Sequence, residues 1–442
     1  MFSRRALFRL IVPLIIEQLL AVTIGMADTV MVASVSEAAV SGVSLVDTIN
    51  ILLINIFSAL ATGGAIVASQ YLGREDRKNA CIAAKQLIYV ITILSSLFMI
   101  LCLAARKPIL GAVFGNIEPV VMRNAQVYFL LTAMSYPFLA VYNAGAALFR
   151  AMGNSKVSMF ASLLMNVVNI GGNAALIFGA KIGVAGAGIS TLVSRALGAV
   201  LMLFLIMRRG NPVHVERLWK PEVHPAIVKN ILRVGIPNGM ENGMFQIGKI
   251  ILQGLITTFG TVAITANAIG NSISTIAQIP GAAIGLALIT VVGQCVGAGR
   301  YDEAKRYTLR LLKFSYIAMG ALNILVILFL KPVIGAFFLS PETARMTFEL
   351  MLYQCVCCIL IWPASFVLPN GLRAANDVRF TMITSMISMW VFRIGLSYLI
   401  TWIFHLGVLG VWIAMTVDWV VRASAFLVRF LRGKWKTKRL LS

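Results

Sequence analysis

A carboxylate lies inside a membrane-length apolar segment, where charged side chains are rare. Asp28 falls within the largely apolar stretch from Leu10 to Val35. A carboxylate at the centre of a bilayer costs roughly 2.5–3.5 kcal/mol even on the mildest scale. The apolar segments of this half of the chain offer only Lys85 and Arg195 as basic partners, and we place both close to the cytoplasmic ends of their segments. We therefore expect Asp28 to be protonated or to hold a cation.

Three asparagines in a later apolar segment could supply ligands to the same ion. Asn166, Asn169 and Asn173 have a three-then-four spacing, which places them on one face of a helix. Amide, hydroxyl and carboxylate oxygens are ligands that hard cations prefer. Asp28, Asn169, Asn173 and the hydroxyl of Thr191 would surround a monovalent cation such as sodium with four oxygens. Hydrogen bonding between helices is the alternative role for the asparagines.

The elements that position these residues are membrane-spanning helices. The 442 residues are 59% hydrophobic and 12% charged, against about 25% charged in soluble proteins. Continuous apolar runs of ~20 residues predict spanning helices and exclude a barrel, whose strands would alternate apolar and polar residues. We predict an all-α polytopic membrane protein with twelve transmembrane helices, at residues 10–34, 43–69, 84–105, 124–148, 157–179, 183–207, 231–258, 263–295, 309–330, 347–369, 380–404 and 407–431.

The net charge of +22 has a topological explanation. Lysine and arginine concentrate at both ends of the chain and in alternate loops, the asymmetry of segments that remain in the cytoplasm. It predicts both termini inside a bacterial cytoplasmic (inner) membrane, with the basic tail touching anionic lipid. We expect membrane lipid as a partner, and no nucleic acid. The six cysteines form no CxxC pair, so disulfide or metal roles are not indicated.

The chain is an internal repeat of two six-helix halves. A step of 224 residues relates Pro13 and Glu17 to Pro237 and Glu241, and Gln70 to Gln294. Each half has an even number of spans, so the repeats are parallel. We predict an N-terminal lobe at 1–207, a cytoplasmic linker at 208–230 carrying a short amphipathic helix, and a C-terminal lobe at 231–442 with a basic cytoplasmic tail.

The repeat does not reproduce the proposed cation ligands. The same step takes Asp28 to Leu252, Asn169 to Arg393, Asn173 to Ser397 and Thr191 to Met415, a set in which a cation replaces an amide. A carboxylate needed only for packing could have been retained in both halves. The sequence therefore predicts one coupling site, in the N-terminal lobe.

Several motifs together resemble the multidrug and toxic compound extrusion (MATE) transporters. They include "GMADTVMV" at the first span, "FRAMGNSKVSMFASLLMNVVNIGG" across the fourth and fifth, "GIPNGME" in the seventh and "GQCVGAGRYDEAKR" after the eighth. The resemblance covers essentially the whole chain. It implies a V-shaped pair of lobes that export organic, mostly cationic compounds, driven by sodium or proton entry. It also implies a cation site at Asp28, Asn169, Asn173 and Thr191.

A second group of residues could line a substrate cleft. Glu17 and Glu241 occupy equivalent positions near cytoplasmic helix ends, where they either pair with basic residues or attract cationic substrates. Aromatic, amide and methionine side chains adapt to varied cations, and the further candidates are Tyr136, Tyr142, Asn143, Met240 and Met244. Some MATE members place a glutamate deeper in the seventh helix, where this chain has Lys249. That departure argues against an acidic site in the second half.

The sequence supports a transporter over an enzyme. It contains no spaced metal motif, nucleophile elbow or phosphate-binding loop, and no cofactor is expected beyond the coupling ion. The leading hypothesis is a monomeric antiporter that exports small organic cations by alternating access. The alternative is a flippase for a lipid-linked oligosaccharide, from the same wider superfamily, which needs a basic cleft such as Arg393 and Lys249 could supply. The residue types do not distinguish sodium from proton coupling.

Overall fold

The computed structural model describes residues 2–115, 117–438 and 440, and within these residues all regular structure is helical. This is expected, because lipid cannot hydrogen-bond backbone groups and a helix satisfies them internally. The first nine helices are α1 Arg4–Ala33, α2 Glu37–Gly73, α3 Arg77–Ala104, α4 Arg106–Phe114, α5 Pro119–Met134, α6 Tyr136–Ala151, α7 Ser155–Asn173, α8 Val184–Ile206 and α9 Pro225–Thr257.

The other described helices continue the chain to the basic tail. They are α10 Thr261–Ala277, α11 Ile279–Gly297, α12 Tyr301–Leu328, α13 Leu330–Gly335, α14 Pro341–Leu360, α15 Leu368–Ala374, α16 Val378–Ile387, α17 Leu396–Phe404 and α18 Gly407–Leu431. Three stretches have π-helical geometry, which is frequent near functional sites: Ala174–Gly179, Pro363–Val367 and Ser388–Gly395. A 3₁₀ turn follows at Lys434–Thr437.

The all-α, multi-pass prediction is confirmed. Ten helices in the described residues are long and apolar enough to cross a membrane, and the pair α5 and α6, bent by 46° at Ser135, makes eleven. These correspond to eleven of the twelve predicted spans, but the predicted span 263–295 is divided at Gln278 into α10 and α11, and only α11 is among the ten helices. The remaining one, 231–258, lies in α9, which has 33 residues but carries charged side chains such as Glu241 and Lys249 along its length.

The helices form two compact units. The N-terminal unit is Ser3–Gly239, and the C-terminal unit comprises Phe2 and the described residues from Met240 onward, so the boundary falls within α9. In the N-terminal unit α1 packs on α7, α7 on α8, and α2 on α5 and α6. In the C-terminal unit α11 packs on α12 and α15, and α18 packs on α17 and on the π-helical stretch Ser388–Gly395.

The predicted linker contains no helix between residues 208 and 224, so the predicted amphipathic helix is wrong. The segment instead runs in extended and turn conformations along α3. The Gln86 amide donates to the Glu222 carbonyl at 2.7 Å, and the Tyr89 hydroxyl donates to the Leu218 carbonyl at 2.7 Å. These side chains satisfy backbone groups that a helix would have paired internally.

Candidate functional site

The four predicted cation ligands lie together in the N-terminal unit, in one chain of hydrogen bonds. The Asn173 amide donates to Asp28 Oδ1 at 2.5 Å and to Asn169 Oδ1 at 3.4 Å. The Asn169 amide in turn donates to Thr191 Oγ1 at 3.3 Å. Asn169, Asn173 and Thr191 are buried, while Asp28 is half-buried. We call this group the Asp28 cluster.

Three helix segments bring the Asp28 cluster together. Asp28 lies in the last two turns of α1, Asn169 and Asn173 lie in the last two turns of α7, and Thr191 lies two turns into α8. The helical spacing of four residues stacks the two asparagines on the face that α7 turns toward α1 and α8. The π-helical stretch Ala174–Gly179 begins directly after Asn173.

A close approach of α7 and α8 fixes the position of Asn169. The Ser190 hydroxyl donates to the Asn169 carbonyl at 2.6 Å. A Cβ atom on Gly172 would lie only 2.4 Å from Ser190 Oγ, so glycine is needed there. The neighbouring Thr191 is thereby held beside the Asn169 side chain.

The amides of the Asp28 cluster can serve two states of the carboxylate. In the structure the Asn173 NH₂ group donates to Asp28, the arrangement that an ionised carboxylate requires, whereas the Asn169 NH₂ group donates away from it, to Thr191. The buried Asn173 Oδ1 has no hydrogen-bond partner among the described residues. Rotating the amide by half a turn would present this oxygen, rather than the NH₂ group, to a cation on the carboxylate.

Asn166 does not belong to the Asp28 cluster. Its amide donates to the Ser162 carbonyl one turn earlier at 2.9 Å, which is an ordinary contact within α7. Asn166 shares a helical face with Asn169 and Asn173, but no contact with the Asp28 carboxylate supports it as a cation ligand.

A second carboxylate, which sequence analysis missed, lies near the first. The Asn50 amide donates to Asp47 Oδ1 at 3.2 Å, the Tyr136 hydroxyl donates to Asn50 Oδ1 at 2.8 Å, and Tyr128 also hydrogen-bonds to Asp47. Asp47 acts electrostatically on Asp28. The signal in the sequence was a second carboxylate within the predicted span 43–69.

The predicted location of Arg195 is wrong. It is the twelfth of the 23 residues of α8, in the middle of the span, and not close to the cytoplasmic end. Its guanidinium donates to Ser135 Oγ at 2.7 Å, at the break between α5 and α6. From there it acts electrostatically on both Asp28 and Asp47 but forms no ion pair with either among the described residues. Two carboxylates and one arginine therefore leave one negative charge in this interior when both acids are ionised.

Glu17 and Glu241 are both paired with arginines, each within its own unit. Glu17 accepts from Arg150 at 2.8 Å and from Ser158 at 2.6 Å. Glu241 accepts from Arg373 at 2.6 Å. The repeat therefore preserves an acid and its arginine in both halves, which favours the pairing interpretation over attraction of cationic substrates.

The other cleft candidates have different surroundings. Tyr136 is fully buried and donates to Asn50, the residue that donates to Asp47. Tyr142 is buried and hydrogen-bonds to Ser162. The buried Asn143 Nδ2 has no partner in the described part of the chain. In the C-terminal unit Met240 is 49% exposed and Met244 is half-buried.

The C-terminal unit has opposite polarity at the equivalent positions. Leu252, which replaces Asp28, is buried, and Arg393, which replaces Asn169, lies 3.7 Å from Asp418. The i, i+4 spacing predicts an ion pair between Asp418 and Arg422, but this is wrong. Arg422 Nη2 instead lies 3.6 Å from Glu241, and Asp418 accepts a hydrogen bond from Ser388.

Comparisons with known proteins agree with this architecture. A family model described as MatE matches residues 13–175 and again 237–399, two blocks that begin and end 224 residues apart. The uncharacterized transporter YisQ of Bacillus subtilis (strain 168) is 29% identical over 98% of this chain and 95% of its own. The probable multidrug resistance protein NorM of Thermotoga maritima is 28% identical over 99% of this chain and 94% of its own. A multidrug resistance MATE family transporter of the MOP superfamily, solved in an outward-facing conformation, superposes with a TM-score of 0.90 at 20% identity, covering 98% of this chain and 97% of that one.

Proposed function

Because this chain belongs to the MatE family of multidrug efflux transporters, we propose that it is an antiporter that exports organic compounds in exchange for an entering sodium ion or proton. It is a multi-pass protein of the inner membrane. We propose that both termini are cytoplasmic, that the protein acts as a monomer, and that organic cations are among its substrates.

The observation that carries the proposal is the surroundings of Asp28. Among the described residues this carboxylate forms no ion pair, and its hydrogen bond comes from the neutral amide of Asn173. When Asp28 and Asp47 are both ionised, Arg195 balances only one of the two negative charges. An uncompensated charge in such surroundings is costly, so one proton or one monovalent cation is favoured there. This supports one coupling ion per chain.

Ion capture can drive export if the two access states bind the ion differently. A ligand shifts a conformational equilibrium only by the difference in its affinity for the two states. The Asp28 cluster joins α1, α7 and α8, so rearranging its hydrogen bonds around an ion would bias how these helices pack. We propose that alternating access couples this bias to substrate release outside.

Export from proteoliposomes tests the proposal. A fluorescent organic cation such as ethidium is loaded inside, and its efflux is followed under a sodium gradient, a pH gradient or neither. We expect one inward ion gradient to accelerate efflux from the wild type, and Asp28→Asn to remove that acceleration. Asn166→Ala is the matched control, since the hydrogen bond that Asn166 donates goes to the Ser162 carbonyl of its own helix and not to Asp28. Efflux from Asp28→Asn at the driven wild-type rate would contradict the proposal.

A flippase for a lipid-linked oligosaccharide remains the second candidate, because the C-terminal unit holds the basic residues that a pyrophosphate requires. Lys249 Nζ and Arg393 Cζ each lie 5.2 Å from the centroid of the Phe245 ring. The Asp28 cluster has no part in that reaction. Translocation of a fluorescent pyrophosphate-linked lipid in liposomes, with no dependence on an ion gradient, would favour this candidate.

A further inference from the structure

Three basic side chains of the C-terminal unit converge on one aromatic ring. Lys249 Nζ and Arg393 Cζ each lie 5.2 Å from the centroid of the Phe245 ring, and Arg422 Cζ lies 5.6 Å from it. Arg422 also lies 4.5 Å from the ring centroid of Phe366. We call Lys249, Arg393 and Arg422 the basic cluster. Aromatic faces partly offset such charges, but they carry no net negative charge.

The carboxylates around the basic cluster do not balance it. Arg393 lies 3.7 Å from Asp418. Glu241 is shared between Arg422, at 3.6 Å, and Arg373, at 2.6 Å. Two carboxylates therefore face three buried arginines, and the exposed Lys249 adds a fourth positive charge. An excess of positive charge among buried groups is unfavourable unless an anion offsets it.

Both arginines of the cluster have N–H groups available for an anion. Arg393 is 8% exposed and Arg422 is 3% exposed. Arg393 Nε, Arg422 Nε and Arg422 Nη1 are buried and have no hydrogen-bond partner among the described residues. A guanidinium presents its N–H groups as a planar fork that fits two oxygens of a carboxylate or phosphate.

The basic cluster can be reached from the surface of its own unit, and it lies in the same region of its repeat as the Asp28 cluster. Lys249 is exposed, whereas Arg393 and Arg422 are buried. The 224-residue step takes Gly25, one turn before Asp28, to Lys249, and takes Asn169 to Arg393. The C-terminal half thus carries cations at positions where the N-terminal half has a glycine and a neutral amide.

We propose that Lys249, Arg393 and Arg422 bind the oxyanion group, a carboxylate or phosphate, of an organic compound whose ring lies against Phe245. The inference rests on the proposed export function and extends its substrates to acidic and zwitterionic aromatic compounds. Under it, the N-terminal unit captures the coupling cation and the C-terminal unit holds the anionic group of the substrate.

Calorimetry on the purified full-length protein tests the site with a matched pair of probes. We expect 2-naphthoate to bind at least about tenfold more tightly than the neutral 2-naphthamide, because hydrogen bonds to a charged acceptor are stronger than those to a neutral one. Lys249→Gln should weaken 2-naphthoate by a similar factor and leave 2-naphthamide unchanged. Lys249 has no carboxylate partner among the described residues, so this change should not disturb folding.

Two further variants separate a specific site from general attraction of an anion to a basic protein. Arg345→Gln removes an exposed charge of the same unit, paired with Glu349 at 2.9 Å, and should leave 2-naphthoate affinity unchanged. Arg393→Lys retains the charge but loses the planar fork, so it should weaken the carboxylate probe while a thermal-stability assay shows a folded protein.

The source of the oxyanion is resolved by competition. If inorganic phosphate displaces 2-naphthoate, the site accepts free oxyanions. If phosphatidylglycerol nanodiscs weaken its binding relative to phosphatidylcholine nanodiscs, the occupant is the phosphate of an anionic lipid headgroup, since the zwitterionic lipid carries the same phosphate without net charge. Either result supports the site.

Equal binding of the two naphthalene probes, or 2-naphthoate affinity unchanged in Lys249→Gln, would overturn the inference. Because binding is measured without any gradient, that failure is distinct from failure of ion-driven efflux in the wild type, which would overturn the proposed coupling instead.

Discussion

Replacing Asn173 with alanine removes the amide that donates to Asp28 at 2.5 Å without altering any charge. A hydrogen bond to a charged group contributes about 1.5–3 kcal/mol, and each ~1.4 kcal/mol is a factor of ten in affinity. If sodium is the coupling ion, its site loses an oxygen ligand. The sodium concentration that half-saturates export should then rise by about 10- to 150-fold.

The same variant distinguishes the two coupling ions, because its effect on a proton has the opposite sign. Without the amide donor the ionised form of Asp28 is less stable, so a proton is held more tightly and export should continue to a higher external pH. The assay is ethidium efflux from proteoliposomes as a function of external sodium and of pH. Asn166→Ala, on the same helix but bonded to the Ser162 carbonyl, is the control. Identical ion dependence of the Asn173 and Asn166 variants would refute the reasoning.

Three other variants test neighbouring contacts. Asp47→Asn should raise the half-saturating concentration of the coupling ion about tenfold in the efflux assay, because the interior loses a negative charge; an unchanged value would show that the charge of Asp47 does not contribute to ion binding at Asp28. Glu17→Gln should destabilise the protein by about 3–5 kcal/mol in a chemical-denaturation assay, because the largely buried Arg150 loses the Glu17 carboxylate; a loss below about 1 kcal/mol, as for exposed pairs, would contradict the pairing. Gly172→Ala should cost about 1–3 kcal/mol of stability and weaken ion coupling, because its Cβ would meet Ser190 Oγ; full coupling would show that α7 and α8 can separate without effect.

The sequence predicted most of the fold because membrane helices leave a strong one-dimensional signal. The spans were predicted from the length of the apolar runs, and the repeat from the constant step of 224 residues. The structure contains the corresponding helices, arranged in two units. Asn169 and Asn173 could be placed together because spacing along one helix fixes a shared face. Their contacts with Asp28 and Thr191 agreed with a pattern suggested by family resemblance.

Contacts between helices distant in sequence were not predictable from spacing. Asn50 links Asp47 on its own helix to Tyr136 on another, at a bend that hydropathy does not reveal. The repeat identified Glu17 and Glu241 but not the arginines that neutralise them. The i, i+4 spacing of Asp418 and Arg422 permitted a pair on one helix, but partners on other helices are closer. In each case the rotation of one helix against another decides the contact.

Direct ion binding tests the central claim that Asp28 captures the coupling ion. With purified protein in detergent, radioactive sodium bound at equilibrium and protons released on binding are counted for the wild type and for Asp28→Asn. We expect the wild type to bind one sodium ion, or to titrate one proton, per chain, and Asp28→Asn to lose that event while remaining folded. Undiminished ion binding by Asp28→Asn would contradict the account.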